Sequence, residues 1–71
     1  MDKPQFVDGL GRILAHTSFG ISGARYEKNV WNEAAVIEFY ERPPLIVNIT
    51  GDSNAMIIMD VMRALETHIG F

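Results

Sequence analysis

In the stretch VNITGDSNAMIIMDVMRAL, residues 47–65, the hydrophobic pattern changes period within four residues. Before TGDS, Val47 and Ile49 alternate with Asn48 and Thr50, the two-residue repeat of a strand. After it, large apolar side chains recur at helical spacing. Thr50, Asp52 and Ser53 are all competent helix caps, and Gly51 lets the chain turn sharply. Asp52 or Ser53 is therefore expected to cap a helix running from about residue 53 to 69. At 100° per residue, Ala64, Ile57, His68, Val61, Leu65, Ile58, Ile69, Met62, Ala55 and Met59 share one arc of roughly 220°. A surface helix ordinarily shows an apolar stripe of about 100°. Met56 falls outside the arc, beside Asp60, Arg63 and Thr67. The surplus is expected to meet another chain, with Met56, Ile58, Met59, Met62 and Ile69 as the interface, since an exposed apolar stripe ordinarily marks an interaction site. Gly70 ends the helix, and Phe71 is expected to fold back on its last turn.

Upstream, PQFVDGLGRILAH (residues 4–16) places Phe6, Val7, Leu10, Ile13 and Leu14 on one helical stripe, with Pro4 in the first turn. Gly9 and Gly11 weaken this helix and are read as points of close approach to a sheet. His16 is expected to close it against the dipole. SFGISGARYEKN (18–29) reads as a first strand with a bulge at Gly23. WNEAAVIEFYE (31–41) is a second strand, with Trp31, Ala35, Ile37 and Phe39 on one face and Val36, Glu38 and Tyr40 on the other. ERPP ends it, because proline cannot donate to a ladder. LIVNIT (45–50) is the third. Short connections make the strands an antiparallel meander. The expected fold is α+β, in the order αβββα, as one domain over residues 1–71: a three-stranded sheet with two helices packed on one face.

Composition narrows the function classes. A chain of 71 residues buries only about 60% of its unfolded surface, so stability is marginal and small folds of this kind often need added support. There is no cysteine, which removes disulfides and thiolate metal sites. His16 and His68 have no ligand cluster beside them, so no metal or other cofactor is expected, and oligomerisation is the support that remains. Nine acids against six bases give a net charge of −3, with the bases scattered. Nucleic-acid binding, driven by counterion release from a basic patch, starts at a disadvantage. No apolar run reaches the roughly 18 residues of a membrane span, and no signal-peptide core precedes the first helix, so a cytoplasmic protein is expected. The sequon Asn48-Ile49-Thr50 is then a chance match.

Catalytic readings find little to stand on. A nucleophilic Ser53 would need a histidine base within reach, and none is near in sequence. Glu38, Tyr40, Asn48 and Thr50 would form a polar patch on the open sheet face, while Glu33 and Glu41 fall on the other parity. Such a patch reads as a solvated face. Trp31, near a turn, is read as an anchor at the core edge, with an exposed binding aromatic as the less favoured alternative.

The order αβββα is similar to the layout of double-stranded-RNA-binding domains, but their lysine-rich start of the second helix is here GDSNAMIIMD, without a base. Residues 47–65 more closely resemble the C-terminal segment of small uncharacterised proteins from Firmicute genomes and their prophages. In those, a strand ending in Val-Asn-Val-Thr precedes Asp-Ser, an alanine, an Asp-Val and a closing leucine. The likeness rests on Val47, Asn48, Thr50, Asp52, Ser53, Ala55, Asp60, Val61 and Leu65, and it implies the fold and a phage or prophage origin but no known activity. The sequence thus points to a non-enzymatic interaction module, pairing with itself or another protein through its last helix. A nucleic-acid-binding domain is the alternative.

Overall fold

The computed structural model describes residues 2–70. Its elements are α1 (Lys3–Leu14), β1 (Ile21–Lys28), β2 (Glu33–Phe39), β3 (Leu45–Asn48) and α2 (Asn54–Ile69), the α+β order read from the sequence. The three strands form one antiparallel sheet with β2 in the centre.

Local chemistry sets each boundary. The Asp2 carboxylate accepts a hydrogen bond from the Gln5 amide and caps α1, with Pro4 in the first turn. The helix stops at Leu14, two residues short of the expected end, because the Thr17 hydroxyl donates to the Leu14 carbonyl (2.6 Å) and turns the chain. His16 lies in that turn. A register irregularity between Ile21 and Gly23 marks a bulge, so Ile21 and Ala24, three residues apart, both face the helices. At the β1–β2 connection, the Asn29 side-chain oxygen accepts from the amides of Trp31 and Asn32, both at 2.8 Å. This Asn-centred turn needs no glycine. It also points Trp31 into solvent at 85% exposure, and the expectation that Trp31 anchors the core edge is corrected.

Ser53 is the cap of α2, its Oγ accepting from the Met56 amide at 3.1 Å. Asp52 stands just outside the helix and turns its carboxylate to Lys3 instead. The loop is further stapled by Thr50, whose amide and hydroxyl both donate to the Asp60 carboxylate one and a half turns into α2. Gly70, in the left-handed conformation at φ 85°, ends α2, its N–H bonding the Glu66 carbonyl. The expected contact of Phe71 lies outside the described residues.

Both helices cover the same face of the sheet. One core joins Val7 and Leu14 of α1, Ile57, Val61 and Leu65 of α2, and Ile21, Ala35, Ile37 and Val47 of the strands. α1 packs on β1 so closely that a Cβ on Gly11 would sit 2.3 Å from the Ala24 nitrogen. Gly9 has nothing comparable near it, so only one of the two glycines marks a close approach.

Candidate interaction surface

Each helix presents two adjacent stripes. On α1, Val7, Gly11 and Leu14 face the sheet, while Phe6, Leu10 and Ile13, one position back at the same spacing, lie beside them. On α2, Ile57, Val61 and Leu65 are buried, and the next row comprises Ile58 and Met62, with Met59 one residue further round. The second stripes meet in a groove of about 320 Å³ lined by Gln5, Phe6, Gly9, Leu10, Ile13 and Ile58. Its lining is almost wholly apolar. Of its lining, Ile13 is 67% exposed and Ile58 41%, and Met59, one residue further round α2, is 53% exposed.

The residues singled out from sequence therefore separate. Ile58 lines the groove on the α1-facing flank, and Met59, next in sequence, is exposed on the outer face of α2. Met62 and Ile69 are half-buried against this chain's own core. Met56 lies on the far flank, its side chain folded over Gly51. The apolar surplus of α2 is thus narrower than the helical arc suggested. What sequence reasoning missed is the share of α1: Ile13 and Phe6 carry the same surface across the groove. The signal was available in the spacing of 6, 10 and 13, which was counted as one stripe with 7 and 14.

A polar cluster binds the other end of the helical layer. The Lys3 ammonium sits 2.9 Å from Glu33 Oε1 and 3.1 Å from Asp52 Oδ1, and the Tyr26 hydroxyl donates to Glu33. These contacts tie the start of α1 to β1, β2 and the β3–α2 loop. The Tyr26 and Lys3 hydrogen bonds hold the Glu33 carboxyl below its ordinary value of 4.5, and the same bonds raise Tyr26 and Lys3 above theirs. A carboxylate held ionised in this way is a weak proton acceptor, so the cluster suits a fastening better than acid–base chemistry. Because the folded-state value of Glu33 is depressed, its contribution to stability is present above the unfolded value and is lost as pH falls through the folded one. Acid titration followed by circular dichroism is expected to show Glu33→Gln less stable than wild type at neutral pH. The difference should shrink below the ordinary carboxylate range. A constant difference from pH 7 to pH 2 would contradict the assignment.

The polar patch expected on the open sheet face is not assembled as a unit. Glu38 pairs with Arg25, which also holds Glu27, and Thr50 is turned to Asp60. Among the described residues no group of three His, Asp or Glu side chains could hold a metal ion, and no helix is long and apolar enough to cross a membrane.

Comparison with models of known protein families, with curated proteins and with solved structures finds no match. The residues from 47 to 65 on which the expected resemblance rests have structural roles of their own in this fold. Val47, Val61 and Leu65 are core, Ser53 is the cap, and Thr50 with Asp60 forms the staple.

Proposed function

We propose that this chain is a small non-enzymatic protein-interaction module that self-associates as a two-fold homodimer through the outer surfaces of α1 and α2. The observation that carries the reading is the apolar groove between the helices, lined by exposed Ile13 and Ile58, with exposed Met59 one residue further round α2. A contiguous apolar patch spanning two elements favours a partner over water. A second copy is the simplest occupant, because two-fold dimers are the commonest assemblies and a domain this small gains most from one. A cytoplasmic setting and a phage or prophage origin belong to the same reading.

Nucleic-acid binding has less support. Lys3, Arg12 and Arg25 are each ion-paired with acids of the same chain, which leaves few bases for phosphates.

Sedimentation equilibrium at low micromolar concentration is expected to show a dimer. Met59→Glu, which adds a charge to a face that the dimer would dehydrate, should weaken it by about 3 kcal/mol, more than 100-fold in Kd. Its circular dichroism spectrum should stay unchanged, since Met59 already faces solvent. A wild-type chain that sediments as a monomer at these concentrations would overturn the proposal.

A further inference from the structure

The free edge of the sheet at β3 offers a second surface that does not depend on the dimer. Ile49 donates its N–H to the Glu33 carbonyl at 3.0 Å. In an antiparallel ladder, bonding then alternates, so Leu45, Val47 and Ile49 face β2 while Ile46, Asn48 and Thr50 turn their amides outward. The Thr50 amide is taken by Asp60. Those of Ile46 and Asn48 have no acceptor among the described residues. Beside this edge lies a cleft of about 540 Å³ between β3 and the Asp60–His68 flank of α2. Asp60, Arg63, Ala64, Thr67 and His68 form its helical wall.

We propose that this cleft binds an extended, acidic peptide segment, which adds to β3 as a fourth antiparallel strand. Two free amides at alternate positions match the donors a strand-adding peptide requires. Charge selects the acidic character. The Asp60 carboxylate keeps its charge but is held at the loop end of the cleft by the Thr50 amide and hydroxyl, whereas Arg63 is exposed and makes no ion pair among the described residues. His68, at the far end of the cleft, lies 5.7 Å from the Phe39 ring, over which the Arg42 guanidinium stands at 5.4 Å. On the opposite face of the sheet, Ile46 is 67% exposed beside buried Val36. An aliphatic residue across from Ile46 would extend that row, and its sequence neighbour would point under α2 toward Arg63. Alternating acidic and aliphatic residues therefore fit both walls. A second copy of this chain does not fit here. α2 lies over β3, so edge-to-edge pairing would set two such helices above strands about 4.8 Å apart, inside the 8–10 Å that packed helices need.

The test uses the full chain, uniformly labelled with nitrogen-15, titrated with the peptide Thr-Val-Glu-Val-Glu-Val-Thr, acetylated and amidated at its ends. Saturable amide shifts centred on Ile46 and Asn48 are expected, together with slowed hydrogen exchange at both. The lysine counterpart Thr-Val-Lys-Val-Lys-Val-Thr and the protein variant Arg63→Glu should each weaken binding about tenfold. A peptide with proline at its central valine should not bind, because the ring removes a ladder donor. No saturable shift at millimolar peptide, shifts centred on Ile13 and Ile58 instead, or equal binding of the lysine peptide would each overturn the proposal.

Discussion

Gly11→Ala is expected to destabilise the protein, and Gly9→Ala, two positions away on the same helix, to stabilise it. Helix propensity alone makes both changes favourable by about 1 kcal/mol. The surroundings decide otherwise. At Gly11 the added methyl would lie 2.3 Å from the Ala24 nitrogen and 2.7 Å from its Cβ. These are strand atoms that cannot rotate away, so α1 must lift from β1. Forced overpacking of this kind costs about 1–3 kcal/mol, and the separation of Val7 and Leu14 from the core adds to it. A net loss of about 2 kcal/mol lowers the melting temperature by roughly 8–16 °C in a domain of this size. Gly9 has no atom within 4 Å of the same position, so its alanine variant should melt roughly 4–8 °C higher. Thermal melts at matched protein concentration check both. The same sign for the two variants would refute the account of how α1 sits on the sheet.

The second large effect separates two apolar residues of α2. Leu65 is fully buried in the joint core, and its truncation to alanine should cost about 2–5 kcal/mol. Small domains stand near the lower end of the usual 5–15 kcal/mol of total stability, so Leu65→Ala is expected to be largely unfolded at 37 °C. Met59→Ala removes a side chain that is more than half exposed and should change the stability of the isolated chain by no more than about 0.5 kcal/mol. Urea unfolding over a range of protein concentrations distinguishes the two. The Leu65 loss should be present at every dilution, whereas any Met59 effect should vanish as the protein is diluted. If truncating Met59 proved as costly as truncating Leu65 under dilute conditions, α2 would be packed differently from the arrangement described.

The contrast shows which features sequence reading reached. Element order and strand parity were legible because they follow from local periodicity. Ala35 and Ile37 face the helices with Val47, as alternation required, and the bulge at Gly23 was signalled by a small residue inside a strand. The cap was narrowed to Asp52 or Ser53, and only the three-dimensional position of Lys3 decided between them. Contacts between distant positions were not legible. Glu33 reaches Lys3 across 30 positions, and Asp52 reaches it across 49. Trp31 was misplaced because parity was extended two residues beyond the strand, into a turn where the Asn29 side chain redirects the backbone. The candidate interaction surface was half legible, since a helical wheel describes one helix and the groove is made by two.

The exposed indole has a practical consequence for every stability measurement above. Trp31 is the sole tryptophan of the chain, and in the folded state it is already in water. Its emission should therefore change little when the protein unfolds, and a fluorescence melt would report a flat trace for a cooperative transition. The same chromophore becomes a clean reporter if anything docks on the tip of the β1–β2 hairpin, because a blue shift there cannot be confused with folding.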